Sequence, residues 1–300
     1  MDPRRRALLA LLAAGAARPG FAQQGIMTKP IPSTKEPIPL IGVGTWQTFD
    51  VRSDAGARAP LAEVLKLMTN AGRGVVDSSP MYGSSEAVAG DLMAELGVRD
   101  KLFVATKVWT NGRDAGIQQM ETSFRRLRVE RLDLMQVHNL ADVHTHTKTL
   151  LDWKAKGRIR HVGITHYTSS AYAEIERLLK MRQYDFLQIN YSLGERDSEK
   201  RVLPLASEMR VAVIANRPFA EGALFRRTKG KPLPPWAAEL GIASWAQYFL
   251  KWIVSHPAVN CAIPGTGNPK HMADNLGAGV GKLPNAAQRK EMAEYFDAQA

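Results

Sequence analysis

Three titratable residues close apolar runs: Asp77 ends GVVD, Lys107 ends LFVATK and His138 ends LDLMQVH, while Tyr82 follows Asp77 beside Gly83. The intervals from Asp77 to Lys107 and from Lys107 to His138 are 30 and 31 residues, the length of one strand and one helix with their loops. If the runs are neighbouring parallel strands, about 4.8 Å separates each from the next, and the three ends share one patch within about 10 Å. Tyr82, on the loop leaving the first strand, can fold over that patch. A phenol with its usual pKa of about 10 is protonated at pH 7, and an adjacent ammonium favours the phenolate, lowering that value. Asp77 would keep Lys107 charged and in place, and His138 can donate to an oxygen gaining negative charge. A proton donor beside a second hydrogen-bond donor suits a carbonyl becoming an alkoxide. None of the four carries a hydride, so reduction by this set requires a cofactor. The plainer alternative is a structural Asp77–Lys107 ion pair at a rim and a satisfied core histidine at 138. Four such residues in register with consecutive strands favour the chemical reading.

The elements that would hold these residues recur through the chain. Strand patterns are predicted at Ile41–Thr45, Gly74–Ser78, Leu102–Lys107, Leu132–His138, Arg160–Thr165, Phe186–Asn190, Val211–Asn216 and Asn260–Pro264. Helical patterns lie between or after them at Leu61–Asn70, Ser85–Leu96, Ile117–Leu127, Ala171–Lys180, Ser244–Ser255 and Ala286–Ala298. Parallel neighbours need crossover connections, and eight strands over about 230 residues is the measure of a closed (β/α)8 TIM barrel, an α/β fold in a single domain over residues 36–300. A doubly wound open sheet is the alternative, weakened because Gly42-Val43-Gly44 is followed by Thr45-Trp46 and not by a G-x-G-x-x-G turn and helix. The stretch from Phe219 to Gly241 is long for a connection and rich in Gly, Pro and cations, which predicts a lid, a binding segment or a surface insertion.

Composition narrows the partners. The chain carries a formal +11, but four of its 40 basic residues and one of its 29 acidic ones lie in residues 1–22, leaving +8 for the rest. The densest later basic run, Arg226–Lys231, has one nearby Phe and no stacking series, so it reads as a solvated loop and nucleic acid is not implied. Residues 1–22 have a basic start, an apolar run from Ala7 to Ala17 and a small-residue exit at Gly20-Phe21-Ala22, the pattern of a signal peptide. That run is too short to span a bilayer, so stable membrane insertion after cleavage is not expected. Arg5-Arg6-Ala7-Leu8-Leu9 resembles the twin-arginine export signal, which implies a periplasmic or otherwise exported protein, cytoplasmic if the signal is not used. The lone Cys261 forms no internal disulfide. His144-Thr145-His146 lacks a carboxylate or cysteine partner at ligand spacing, so it reads as the start of a surface helix and no metal is expected.

From about Ile38 to Leu276 the chain resembles the aldo-keto reductase family. The resemblance rests on Gly42-Val43-Gly44-Thr45-Trp46, on Asp77-x4-Tyr82-Gly83 with Ser85-Glu86, on Thr106-Lys107-Val108-Trp109, on Leu132-Asp133-Leu134 leading to His138, and on Ile263-Pro264-Gly265-Thr266 with Pro269 and Asn275. It implies a barrel that binds extended NADPH, reducing a small-molecule carbonyl substrate, with Tyr82 as general acid, Lys107 and Asp77 as its tuning pair, and His138 orienting the carbonyl. Cofactor contacts are implied for Gly44, Thr45, Trp46, Thr165, His166, Gln188, Asn216, Arg217, Pro218, Gly265, Thr266, His271 and Asn275, and an apolar substrate pocket for Trp46, Met81 and Trp109.

The chain departs from the family pattern around the nicotinamide. Thr165-His166 stands where Ser-Asn is common, and Asn216, followed by Arg217, stands where an aromatic platform is usual. Arg217 could face a cofactor phosphate or an anionic substrate. Gly265, Thr266 and His271 replace Lys, Ser and Arg, which weakens discrimination for a 2′-phosphate; NADPH remains the expected cofactor, with NADH possible. Two other functions compete with reduction: a non-catalytic NADP-binding sensor or partner-binding barrel, and a Schiff-base aldolase using Lys107, against which the paired Asp77 argues. The sequence assigns no oligomeric state.

Overall fold

Side chains alternate along each strand of this protein between two separate apolar cores, and that alternation builds the site. The structure is a computed structural model describing residues 25–299, so the export signal expected at residues 1–22 lies outside the described residues. The ordered elements begin ahead of Glu36 with an antiparallel hairpin, β1 (Thr28–Pro30) and β2 (Pro37–Pro39). There follow β3 (Val43–Gly44), α1 (Ala55–Asn70), β4 (Gly74–Asp77), α2 (Ser85–Leu96), β5 (Leu102–Val108), α3 (Arg113–Leu127), β6 (Leu132–His138), α4 (Val143–Ala155), β7 (Ile159–Thr165) and α5 (Tyr172–Lys180). The second half contains β8 (Phe186–Asn190), α6 (Val202–Glu208), β9 (Ala212–Asn216), α7 (Ala223–Arg227), α8 (Trp245–Val254), β10 (Val259–Ala262), α9 (Pro269–Gly277) and α10 (Ala286–Asp297).

Strands β3 to β10 form one eight-stranded sheet in sequence order, each parallel to the next. The sheet closes on itself: Gly42 N–H donates to Ala262 O at 2.9 Å, Ala262 N–H to Leu40 O at 2.8 Å, and Gly44 bridges Gly265 in parallel. The fold is therefore the (β/α)8 barrel and not the open sheet. Its mouth is the end at which every strand finishes.

On β6, Met135 and Val137 face the surrounding helices while Leu134 faces the barrel interior. The same period of two places Val75, Ala105, Phe186, Ile214 and Cys261 in the interior core. The hairpin seals the base of this core with Ile31 and Ile38, both fully buried. One step of two residues further along the strands, inward positions become polar: Asp77, Lys107, Gln136 and Gln188.

Several helices differ from the sequence reading for identifiable reasons. α1 starts a turn and a half before the predicted Leu61, because Asp54 caps it by accepting Ala57 N–H at 3.0 Å and Pro60 leaves only the carbonyl of Gly56 without its donor. α4 begins at the helix start read at His144-Thr145-His146 but had no predicted span: its buried face uses His146 and Thr147 where aliphatic residues would reveal the period. His146 Nε2 donates to Thr110 O at 2.7 Å, a structural role, and no metal-binding cluster exists among the described residues. The long stretch after β9 is not a free insertion. Arg227 and Lys231 of its basic run donate to the carbonyls of Asp297 and Gln299, so this run grips the C-terminal helix instead of facing only solvent. No helix among the described residues is long and apolar enough to cross a membrane.

Candidate active site

Asp77, at the end of β4, is the centre of a buried polar cluster. Lys107 Nζ donates to Asp77 Oδ2 at 2.6 Å and to Ser78 O at 2.7 Å, with both charged side chains almost fully buried. The other carboxylate oxygen accepts two side-chain amides, Gln188 Nε2 at 2.8 Å and Gln136 Nε2 at 3.1 Å. The barrel register explains the convergence: Asp77 pairs with Ala105, so Lys107 stands two residues above it, level with Gln136 on β6. Tyr82 reaches the cluster from the turn after β4, with Lys107 Nζ 5.2 Å from its ring centroid and the His138 ring edge-on at 5.9 Å. That turn depends on Gly83. Its φ is +59°, and a Cβ there would lie 2.2 Å from Asp50 Oδ2, whose partner oxygen accepts Ser84 N–H at 2.8 Å.

These surroundings set the charge states. Burial works against the Lys107 ammonium, but Asp77 and then Tyr82 outweigh it and hold the amine above the ordinary lysine range. A lysine held charged is a poor nucleophile, which disfavours the Schiff-base alternative. Burial raises the Tyr82 pKa, and the pull of Lys107 in the opposite direction only partly offsets it. The sequence reading expected Lys107 to lower that value. The outcome differs because burial outweighs the lysine, and Asp77, paired to that lysine, further opposes its effect on the phenol, so Tyr82 stays a protonated donor. Burial, then the Lys107 charge and His166, push His138 down to about 3, so its ring is neutral.

A cavity of about 760 Å³ opens above the cluster. Asp77, Tyr82 and His138 lie on its wall, together with Gly44, Thr45, Trp46, Met81, Thr165, Gln188, Asn216, Arg217, Pro218 and Gly265 from the sequence-derived set. Trp109 stands just outside this wall, its ring 6.4 Å from that of His138 and 43% exposed. The His166 ring is also turned away. Its Nδ1 accepts Thr168 N–H at 3.2 Å and the ring stacks on Tyr167, so only its backbone carbonyl serves the site, accepting Asn216 Nδ2 at 3.1 Å. Arg217 is not a free cation: Glu221 at 3.0 Å and Glu195 at 3.6 Å neutralise it, which removes the argument for an anionic substrate. Thr266, His271 and Asn275 lie beyond the cavity wall, on α9 and the loop before it, where Thr266 Oγ1 accepts Asn268 N–H at 3.1 Å.

Three contributors were missed from the sequence. Gln136 precedes His138 by two positions, so strand periodicity alone places it on the same inward face. Ser79 contacts His138 Nδ1 at 3.1 Å, and Tyr167 lines the cavity; neither carries a spacing signal. The long segment after β9 does contribute a wall, through Phe219, Glu221, Gly222 and Phe225.

The cavity also has an unmet hydrogen-bonding need. Asn216 Oδ1 is buried without a partner, an acceptor placed for an amide N–H such as a nicotinamide carboxamide presents. The residues present thus fit the cofactor at this end.

Comparison with known proteins agrees with the geometry. The profile of the aldo/keto reductase family matches residues 40–292. Methylglyoxal reductase YeaE of Escherichia coli (strain K12) is 30% identical over 247 residues, covering 79% of this chain and 84% of that protein. An aldo-keto reductase from Klebsiella pneumoniae, solved in complex with NADPH, superposes with a TM-score of 0.74 at 25% identity, covering 90% of this chain and 95% of the other. A second Klebsiella pneumoniae structure, solved with NADP and acetate, shares the fold at a TM-score of 0.77 and 24% identity, over 90% of this chain and 96% of that one. The chain belongs to the aldo/keto reductase family.

Proposed function

We propose that this chain, through the barrel of residues 36–300, reduces a small aldehyde or ketone to the alcohol with NADPH. The observation that carries the reading is the convergence of a protonated phenol and a neutral imidazole on the wall of one cavity, with a fixed ammonium buried behind the phenol. Bound NADPH supplies the hydride that no side chain carries. Thr165, Gln188 and Asn216 would hold its nicotinamide, the Arg217–Gly222 loop and the Gly265–Asn275 segment the remainder. The substrate carbonyl oxygen accepts hydrogen bonds from Tyr82 Oη and from His138. As that oxygen gains negative charge, the Tyr82 proton moves to it, and Lys107 stabilises the phenolate left behind. Asp77 keeps Lys107 in place through this change. Solvent entering the cavity returns the proton to Tyr82. The exposed Trp46 and Met81 at the rim suit the apolar part of an uncharged substrate.

The test is loss of NADPH absorbance with the purified chain and a panel of carbonyls that includes methylglyoxal. Turnover that disappears in Tyr82→Phe is expected; tight NADPH binding with no turnover on any carbonyl would favour the sensor and end the proposal. We further propose that residues 1–22 export the folded chain, a reading supported by Arg5-Arg6 ahead of the apolar run. Cell fractionation should find a shortened chain outside the cytoplasm, and an uncut cytoplasmic chain would overturn this.

A further inference from the structure

We propose that Ser79 is a positioning residue that fixes the tautomer of His138, aiming Nε2–H at the substrate carbonyl. Ser79 is fully buried and its Oγ lies 3.1 Å from His138 Nδ1. Neither atom has another hydrogen-bond partner among the described residues. A neutral imidazole carries one N–H, and the bond made at one ring nitrogen decides which nitrogen holds the proton. Two arrangements are possible. If Nδ1–H donated to Ser79 Oγ, the serine proton would be left buried with no acceptor, an arrangement that costs the desolvation of an unmade hydrogen bond. Nε2 would then turn a lone pair toward a substrate oxygen and repel it. If Ser79 O–H donates to Nδ1, every proton in the pair is used and Nε2–H remains free on the side of the ring that faces the cavity. The second arrangement alone gives a donor to the developing oxyanion.

The position of Ser79 makes this possible. It lies two residues past Asp77, on the turn whose closing hydrogen bond runs from Tyr82 N–H to Ser79 O at 3.1 Å. The same turn therefore carries the proton donor and sets the second hydrogen-bond donor. The imidazole ring packs near Tyr82, edge-on at 5.9 Å, and Trp109 at 6.4 Å, and neither of them makes a hydrogen bond to Nδ1, which Ser79 holds.

The inference rests on the reading of His138 as a donor to the carbonyl, and two measurements separate its failure from failure of that reading. The first is nitrogen NMR of the wild-type chain labelled with ¹⁵N-histidine. His138 should show a protonated Nε2 and an acceptor Nδ1 from pH 6 to 8; an Nδ1–H tautomer overturns the proposal whether or not the chain turns over. The second is kinetic. Ser79→Ala should lower kcat about tenfold with KM for NADPH unchanged, the effect expected for losing one buried hydrogen bond that orients a donor. Ser79→Thr, which keeps the hydroxyl, should recover most of that loss. Wild-type kcat in Ser79→Ala, with its nitrogen spectrum also unchanged, overturns the proposal. Absence of carbonyl turnover in the wild type would instead sink the reductase reading and leave the tautomer result to stand.

Discussion

The two ends of the barrel use the same residue types for opposite purposes. At the base, Asp133, Asp185 and Asn260 stand at the starts of β6, β8 and β10, and each caps the backbone of the preceding strand. The bonds run from Val104 N–H to Asp133 at 2.8 Å, Val162 N–H to Asp185 at 2.9 Å, and Val213 N–H to Asn260 at 2.9 Å. Arg99 and Arg160 flank Asp133, and Lys154 flanks Asp185, so each charge is answered within the protein. At the mouth, Asp77 is equally buried, yet its partners are an amine and two amides that hold further groups against a cavity. What separates structure from chemistry here is not burial or charge. It is whether the last member of the network has a partner. At the mouth the phenol of Tyr82 and the far nitrogen of His138 face open space. His161 breaks the rule at the base. Both its ring nitrogens lack partners, and the ring is packed against Phe103 and Phe186 with Glu36 and Asp185 just beyond bonding range at 3.9 and 4.0 Å.

Substitutions at the two ends should therefore separate activity from stability. Tyr82→Phe removes only a hydroxyl and should lower kcat/KM by about 10²- to 10⁴-fold, with the urea midpoint almost unmoved. Asp133→Ala should do the reverse. It strips a cap from β5 and two guanidiniums of their carboxylate, and should cost about 3 kcal/mol in urea unfolding, while kcat per folded molecule stays at the wild-type value. If Tyr82→Phe destabilised the chain as much as Asp133→Ala, the mouth would be a structural network after all.

The comparison also shows what the sequence could convey. The ends of Asp77, Lys107 and His138 were legible because each closes an apolar run, and a 30-residue interval maps onto adjacent strands. Residues 132–138 and 186–190 form strands with the predicted bounds, since buried parallel strands are continuous apolar runs. The hairpin at the base was not placed: two strands of three residues containing Pro30, Pro37 and Pro39 leave no period to read. His166, Thr266, His271 and Asn275 were chosen by their positions in a family pattern, which three of them depart from in type, but the orientation of the His166 ring is decided by a turn closed at Thr168, which no spacing reveals. The direction of the Tyr82 shift was missed for a similar reason. The shift is set first by how deeply the phenol is buried and then by its distances to Lys107 and Asp77, and sequence supplies none of these.

Acid should act on stability before it acts on chemistry. His138, held to about 3 in the fold against about 6.5 unfolded, binds its proton more readily in the unfolded chain. Its contribution is fully present above about 6.5 and is lost as pH falls toward 3. Lys107 works at the other limit: its folded value lies above the unfolded one, so its contribution holds below about 10.5 and disappears as pH rises through the folded value. Unfolding free energy should thus drop by about 1 to 2 kcal/mol between pH 7 and pH 5 from His138 alone. Meanwhile kcat/KM for the folded enzyme should stay flat from about pH 5 to 9, because Tyr82 and Lys107 are held above that range and His138 below it. A kinetic break near pH 6.5 that disappears in His138→Gln would show that the imidazole is not held neutral.

The smallest expected effect gives the finest resolution of the two ends. Asp77 Oδ1 accepts both Gln188, at 2.8 Å, and Gln136, at 3.1 Å, and Gln188 is further steadied by Thr165 Oγ1 at 3.2 Å. Gln136→Leu keeps roughly the same volume and removes the weaker of the two amide bonds. The carboxylate keeps Gln188 and Lys107, so Asp77 should remain in place and the fold should lose about 1 kcal/mol or less. Lys107 would then be held by a slightly freer carboxylate, and kcat should fall about threefold, with KM for the carbonyl constant, in steady-state kinetics. Gln188→Leu removes the shorter bond and the partner of Thr165 on the cavity wall, so it should cost more and raise KM for NADPH as well. Equal effects from the two glutamines would mean that they serve only to bury a charge, as the guanidiniums do at the base. A graded pair, with cofactor affinity changed in one alone, would mark the mouth as a network whose order is set by what enters the cavity.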